Sequence, residues 1–172
     1  MKAARLRALI KADINLFAYH LPLDCHPQHG NNAALGRLMG IEAPEALDPE
    51  DPGTPVFRGQ LAESFTVQGL ADRLSVALDR SPLVIGEGDV TSVAWCTGAG
   101  QGYIDLAADA GADVYVTGEV SEQTAHVALE RGIAFIGAGH HATERYGVQA
   151  VGSLAAEALG LSHEFIDIDN PA

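Results

Sequence analysis

The sequence predicts an α/β protein whose sheet is largely parallel and is covered by helices on both faces. From residue 91 to residue 168, short apolar runs typical of buried strands alternate with segments whose apolar side chains recur at helical spacing. Glycine-containing turns, such as 97–102, separate the runs from the helical segments. Because this alternation builds strand–helix–strand units, a parallel sheet is the expected product.

The individual elements follow from the same two patterns. The segments predicted as strands are 14–19, 56–61, 83–85, 91–96, 114–116, 133–136 and 164–168. An amphipathic helix opens the chain, with Leu6, Leu9 and Ile10 on one face. Further helices are expected after Asn31 or Asn32 as cap, after Ser64 or Thr66 as cap, near 104–110, from residue 121, and over 148–159.

One stretch differs in composition from the rest of the chain. Residues 43–55 contain four prolines, a glycine and several acidic side chains, and few apolar ones. Such a segment cannot join a ladder or bury itself. We therefore expect an exposed connector over 43–55, with residues 1–42 and 56–172 forming two halves of the fold.

Charge and cysteine content exclude several functions. The 172-residue chain carries a net charge of −13, which repels phosphate backbones and anionic membrane surfaces. No apolar run approaches the roughly 20 residues that a membrane span needs. The only cysteines, Cys25 and Cys96, fit no zinc or redox spacing, which indicates a reducing, cytoplasmic compartment.

Two histidine–carboxylate pairs are the candidate functional residues. His20 precedes Asp24 by four residues, and His140 precedes Glu144 by four, so each pair shares one face of a helical turn. Each pair by itself is also explained by a strand-end histidine and a capping carboxylate. Brought together at strand ends, they form a mixed nitrogen and oxygen site suited to zinc, iron, manganese or nickel.

The turn 97–102 has two interpretations. It follows a strand and precedes a helix, as a dinucleotide-binding turn does, but Tyr103 stands where the third glycine belongs. A tight strand-to-helix turn explains it better. Its backbone N–H groups could still bind an anionic part of a substrate.

Longer motifs carry a resemblance to a known family. HLPLD from residue 20, GNNA from residue 30, TGEVSEQ from residue 117 and GHHATERYG from residue 139 resemble the NIF-three-like dinuclear metal-centre family. Many of its members are labelled GTP cyclohydrolase I type 2 homologues. WCTG from residue 95 and FIDI from residue 165 also fit, so that the resemblance covers essentially the whole chain in order.

This resemblance implies a three-layer α/β/α fold, a site for two divalent transition ions in a cleft between the halves, and a toroidal homo-hexamer. Asp24, His140 and Glu144 correspond to metal ligands, with Glu144 bridging both ions, and His20 is a ligand or a neighbour of the site. Supporting or proton-carrying roles fall to Glu119, His141, Thr117 and His126.

The sequence also departs from the family pattern at its N-terminal end. Family members begin with a further α/β unit that ends in a His-His pair, one histidine for each ion, whereas residues 1–42 match only the remainder of the first half. We therefore expect an N-terminally truncated fold with an incomplete site. The function it implies is that of a metal-dependent hydrolase acting on an unidentified small molecule; the alternatives are a non-catalytic metal-binding oligomeric scaffold and an inactive fragment.

Overall fold

The computed structural model describes residues 2–51 and 54–171 and shows an α/β fold with one mixed sheet. The helices are α1 (Lys2–Lys11), α2 (Leu21–Asp24), α3 (Asn31–Met39), α4 (Val67–Leu78), α5 (Ile104–Asp109), α6 (Glu122–Arg131), α7 (His140–Glu144) and α8 (Tyr146–Leu159), with a 3-10 turn at Gln101–Tyr103. The strands are β1 (Glu45–Ala46), β2 (Phe57–Thr66), β3 (Leu83–Ile85), β4 (Asp89–Cys96), β5 (Val114–Thr117) and β6 (Ala134–Gly137).

The six strands lie in the order β1-β2-β4-β5-β6-β3. The predicted parallel pairing holds for the centre of the sheet, where β4, β5 and β6 run parallel. It is wrong for the outer strands, because β1, β2 and β3 all pair antiparallel with their neighbours. The difference has a topological reason: among adjacent strands, only β4–β5 and β5–β6 are joined directly through a crossover helix, and parallel neighbours need such a connection.

Two predicted strands are absent from the described residues. Segments 14–19 and 164–168 have no regular structure, and most of their apolar side chains are exposed, Phe17 by 78% and Ile168 by 73%. A strand is stable only when a neighbouring strand satisfies its backbone N–H and C=O groups. Neither segment has such a neighbour within the described part of the chain.

The sheet separates two hydrophobic clusters. The larger one lies on the face covered by α3 and α4 and includes Leu35, Leu70 and Trp95. The smaller one lies on the face covered by α5 and α6 and includes Ile104 and Phe135. Neighbouring strand residues alternate between the two clusters, as strand geometry requires. The predicted three-layer α/β/α arrangement is therefore confirmed.

Part of the predicted connector takes part in the sheet. Glu45 and Ala46 pair with β2, and Leu47 is buried in the smaller cluster. Pro52 and Gly53 lie outside the described residues, and the division into two halves joined by 43–55 stays a prediction. Among the described residues, no helix is both long enough and apolar enough to span a membrane.

The carboxyl ends of the three parallel strands lie side by side. Cys96 at the end of β4 is in register with Thr117 at the end of β5, and Thr117 is in register with Gly137 of β6. The segments that follow these strands therefore meet at one edge of the sheet. Such an edge is where ligands bind in α/β proteins.

Candidate metal centre

The short helix α7 places His140 and Glu144 on one face. It begins just after β6, and the four-residue spacing brings Nε2 of His140 to 3.0 Å from Oε2 of Glu144. Both side chains are only partly exposed, His140 by 37% and Glu144 by 22%. The predicted pairing of these two residues is thus present in the structure.

Glu119, in the turn after β5, contacts Nδ1, the other ring nitrogen of His140. Its Oε1 atom lies 2.7 Å from Nδ1 of His140, and its Oε2 atom accepts a hydrogen bond of 3.3 Å from Nε2 of Gln101. Because an ionised carboxylate only accepts, Nδ1 of His140 carries a hydrogen. In a neutral imidazole the lone pair is then on Nε2, which faces Glu144.

Two electron-pair donors, Nε2 of His140 and Oε2 of Glu144, therefore face each other. Burial alone would lower the pKa of His140, but the hydrogen bond to Glu119 and the negative charge of Glu144 outweigh it and raise that pKa. Burial and the negative charge of Asp24 raise the pKa of Glu144, although His140 opposes this shift. Both side chains therefore hold a proton more readily than they would in water.

Asp24 supplies a second carboxylate to the same place. It ends α2 with only 5% of its surface exposed, and its Oδ1 atom accepts a hydrogen bond of 2.7 Å from Nδ2 of Asn31. The Oδ1 atom of Asn31 accepts in turn from the backbone N–H of Gly147 at 2.7 Å. Asn31 therefore fixes Asp24 relative to α8. It does not cap α3 through its side chain, as the sequence had predicted, because Gly30 occupies the cap position.

His20 completes the group from the segment before α2. Its Nε2 atom lies 3.9 Å from Oδ2 of Asp24, and its side chain is 82% exposed. Ligand atoms of His20, Asp24 and Glu144 all lie within 4.8 Å of one another. The two predicted histidine–carboxylate pairs thus converge, although they are more than a hundred residues apart in the sequence.

A cavity of about 190 Å³ opens between these groups. Its polar and ionisable lining consists of His20, Asp24, Cys96, Thr97, Tyr103, His140 and Glu144. Leu21, Pro55 and Ala99 form its apolar part. A larger cavity of about 590 Å³ lies along β1 and β2, but its charged lining, which includes Glu45 and Arg58, brings no such ligand cluster together.

The donor set fits a divalent transition ion. Imidazole nitrogen combined with carboxylate oxygen suits zinc, iron, manganese or nickel better than calcium. An imidazole whose second nitrogen is bonded to a carboxylate is also the usual form of a metal-bound histidine, and here Glu119 is that carboxylate. Ligand atoms of His20, Asp24 and Glu144 lie close enough together to hold a cation, and Nε2 of His140 faces Glu144 of that group.

Several predicted residues lie elsewhere. His141 does not line the cavity; its Nε2 atom lies 2.8 Å from Oδ1 of Asp167, and the proton-carrying role predicted for it stays a prediction. His126 lies on α6, away from the cavity lining, and the hydroxyl of Thr117 contacts backbone groups of Gly98 and Gly100.

Sequence reasoning missed three residues that shape the site. Asn31 orients Asp24, Gln101 contacts Glu119, and Thr97 lines the cavity next to the carboxylates. Amide and hydroxyl side chains in turns are common without any site, so their residue types alone carried no signal. The one available clue was their position directly after β4 and at the start of α3.

Cys96 faces the cavity as a neutral thiol. Burial, together with the negative charges of Asp24 and Glu144, raises the pKa of Cys96 to about 12. Its Sγ atom donates to the carbonyl of Thr97 at 3.4 Å. In this environment the side chain is not a nucleophile.

Fold and site together define an α/β protein with a candidate metal centre at the carboxyl edge of its sheet. The family model for Duf34/NIF3 (NGG1p interacting factor 3) matches residues 1–171. The chain belongs to this family. It is 52% identical over 173 residues to a GTP cyclohydrolase 1 type 2 homolog of Pseudomonas aeruginosa, covering 100% of this chain and 69% of that protein. A homolog of the same name from Haemophilus influenzae is 50% identical over 175 residues, with the same coverage.

Solved structures agree with the fold. The protein ybgI, whose function is described as unknown, superposes with a TM-score of 0.92 at 46% identity, covering 100% of this chain and 69% of that one. The protein TTHA1606 from Thermus thermophilus superposes with a TM-score of 0.87 at 34% identity, covering 98% of this chain and 66% of that one. The family that the sequence motifs indicated is thereby confirmed.

Proposed function

We propose that the chain binds divalent transition-metal ions and acts as a metal-dependent hydrolase on a small molecule. The observation that carries this proposal is the approach of Nε2 of His140 to Oε2 of Glu144 at 3.0 Å, with Nδ1 held by Glu119. Two electron-pair donors held this close, with the carboxylate of Asp24 in the same cavity, favour a cation site.

The side chains have separable tasks in this proposal. Asp24, His140 and Glu144 hold metal, with Glu144 the proposed bridge in a two-ion site and His20 a further ligand. A bound ion would supply Lewis acidity and an activated water for hydrolysis. Glu119 fixes the tautomer of His140 and, being 41% exposed at its side chain, can exchange a proton with solvent or substrate.

The cavity limits what can react. Its volume of about 190 Å³ admits the reacting group of a substrate but is below the roughly 300–1,000 Å³ of a site that encloses a drug-sized ligand. A nucleotide, as the name of the relatives suggests, would therefore insert only one end. The carboxylates also make a metal ion necessary before an anionic group can enter.

The metal test compares matched carboxylate variants. Wild type, Glu144→Ala and Glu157→Ala are purified without chelators and their zinc, iron, manganese, nickel and cobalt contents are measured by mass spectrometry. Glu157 is the control because it is an exposed glutamate on α8. We expect Glu144→Ala to lose most of the metal and Glu157→Ala to keep it. Equal metal content in wild type and Glu144→Ala would refute the proposed site.

The hydrolase test uses the metal-loaded wild type with GTP, other nucleoside triphosphates and simple phosphoesters, and it detects products by mass spectrometry. Turnover that disappears in Glu144→Ala supports the enzyme. Stoichiometric metal binding without any turnover would favour the non-catalytic scaffold instead. The number of ions per chain decides whether these residues hold one ion or two.

We also propose that the chain works as part of a protein assembly, a homo-hexamer in the first instance. Support comes from large apolar side chains that lie exposed on two segments, including Ile10, Phe17 and Tyr19 near the beginning and Leu159 and Ile168 near the end. Patches of this kind usually mark protein contacts. Sedimentation velocity would show a hexamer, and a monomer at micromolar concentration would contradict it.

The two free cysteines support a reducing, cytoplasmic location.

A further inference from the structure

Thr97 has the only fully buried threonine hydroxyl in the described chain that finds no hydrogen-bond partner there. Four threonines are buried: Thr97, Thr117, Thr124 and Thr143. The hydroxyls of Thr117 and Thr143 bond to backbone groups, and that of Thr124 lies 2.7 Å from the hydroxyl of Ser121. Of these four hydroxyls, only that of Thr97 has no hydrogen-bond partner among the described residues, and the residue is 3% exposed.

Thr97 is also the only one of these four that lines the candidate metal cavity. It follows β4 directly, and its backbone N–H donates to Oδ1 of Asn32 at 3.0 Å, which fixes the residue in place. Asp24 and Glu144 line the same cavity. The unpaired hydroxyl therefore belongs to a residue that shares the cavity lining with two of the proposed metal ligands.

An unpaired buried hydroxyl costs stability, and a valine of the same shape would avoid that cost. The other side chains that line the cavity limit which partner the Thr97 hydroxyl can bind. Ionised carboxylates such as Asp24 and Glu144 only accept hydrogen bonds, and both ring nitrogens of His140 are already engaged. A molecule that presents an acceptor oxygen in this cavity thus finds its buried donor in Thr97.

We infer that Thr97 is a ligand-contacting residue, whose hydroxyl donates a hydrogen bond to an acceptor oxygen of the molecule bound beside the metal centre. The ligand class is a small anion or substrate group with a phosphoryl or carboxylate oxygen, which a bound cation would draw into this otherwise acidic cavity. This inference rests on the proposed function, since it needs the cation.

The first test is a spectral titration of the cobalt(II)-loaded protein. Inorganic phosphate and acetate are added separately to wild type, Thr97→Val and Thr97→Ser, and the visible absorption of the cobalt is followed. The loss of one hydrogen bond to a charged oxygen should weaken binding of at least one anion by about ten-fold in Thr97→Val. Thr97→Ser keeps the hydroxyl and should stay within about two-fold of wild type. The anion that responds identifies the phosphoryl or the carboxylate class.

A second measurement does not depend on metal. Without ligand, Thr97→Val should melt no lower than wild type, because the Thr97 hydroxyl makes no hydrogen bond within the described part of the protein. Thr124→Val is the matched control: it removes a bonded hydroxyl outside the cavity, so it should melt lower and leave anion binding unchanged.

The outcomes separate the two hypotheses. Failure of wild type to bind cobalt refutes the proposed function and this inference with it. If cobalt binds, the inference alone is overturned by equal anion affinities in wild type and Thr97→Val, by the lack of any response of wild type to either anion, or by a lower melting temperature of ligand-free Thr97→Val.

Discussion

Glu119 holds His140 in one orientation, with Oε1 of the carboxylate 2.7 Å from Nδ1 of the imidazole. The two residues come from different strand–helix turns, so that this contact joins the turn after β5 to α7. It leaves Nε2 of His140 directed at Glu144, 3.0 Å away. The first prediction follows from this contact.

Glu119→Ala should weaken metal binding by about 10–100-fold, since the imidazole loses the group that sets its tautomer and direction. Glu119→Gln should have a smaller effect, because its amide oxygen can still accept from Nδ1. Competition titration with a chromogenic chelator measures both. Glu122→Ala, an exposed glutamate at the start of α6, is the control and should bind like wild type. An unchanged affinity in Glu119→Ala would show that the contact does not serve the metal.

Gly98→Ala should disturb Glu144 and destabilise the fold. Gly98 has a φ of +66°, and a Cβ atom built there would overlap with the carboxylate of Glu144. The left-handed conformation alone costs an alanine about 1–2 kcal/mol, and the overlap must also displace the carboxylate. We expect a lower melting temperature together with reduced metal content.

Gly102→Ala is the matched control for that substitution, because nothing lies within 4 Å of a Cβ atom built at Gly102. It belongs to the same connection between β4 and α5. Equal stability and metal content for the two alanine variants would contradict the close approach of Gly98 to Glu144.

Asn32→Ala should cost about 2–4 kcal/mol of unfolding free energy, because several buried backbone groups lose their partner at once. The Nδ2 atom of Asn32 donates to the carbonyls of Asp24 at 3.1 Å and Pro55 at 3.3 Å, while Oδ1 accepts from the N–H of Thr97 at 3.0 Å. Urea denaturation measures the change. Asn15→Ala, at an exposed asparagine, should stay within about 0.5 kcal/mol of wild type. A similarly small effect of Asn32→Ala would mean that solvent replaces these bonds.

Asp113 should make stability depend on pH. Burial would raise its pKa, but the N–H groups of Ser92 and Thr91 and the hydroxyl of Thr91 bond to Oδ2 and together lower it. A folded-state pKa below the unfolded value of about 3.9 stabilises the protein above that pH. This contribution is lost as the pH falls through the lowered pKa of the folded state.

Asp113→Ala should therefore be less stable than wild type at pH 7, by about 1 kcal/mol after allowance for solvent screening of an exposed group. The difference between the two proteins should shrink below about pH 4. Urea denaturation between pH 3 and pH 7 tests this, with the exposed Glu130→Ala as control. A difference that is the same at pH 3 and pH 7 would show that the carboxylate charge plays no part.

Local spacing was sufficient to identify the metal-ligand candidates. A four-residue separation brings side chains together on one helical turn wherever that turn lies, so the pairing of His140 with Glu144 followed from the sequence. The parallel centre of the sheet followed for a similar reason, because a strand, a crossover helix and a strand leave few other arrangements. The short apolar runs of β4 and β5 also predicted a sheet buried on both faces.

The sequence pattern did not predict the edges of the sheet correctly. The runs 14–19 and 164–168 have strand composition but no strand beside them in the described chain, and pairing depends on such a neighbour. The direction of β2 and β3 likewise depends on where their connections cross the sheet. The direction of these strands therefore cannot be predicted from local composition.

The sequence by itself determined the residue types and short-range spacings of this site: an imidazole and a carboxylate four apart, twice, each near a turn. Only the tertiary structure decided that the two pairs meet, that Asn31 turns toward Asp24, and that Thr97, whose hydroxyl is unpaired within the described chain, lines the same cavity as both carboxylates. The reason is physical. Periodicity acts over one or two turns of chain, whereas the convergence of Asp24, Thr97 and Glu144 depends on how the strands align and how the helices pack against them.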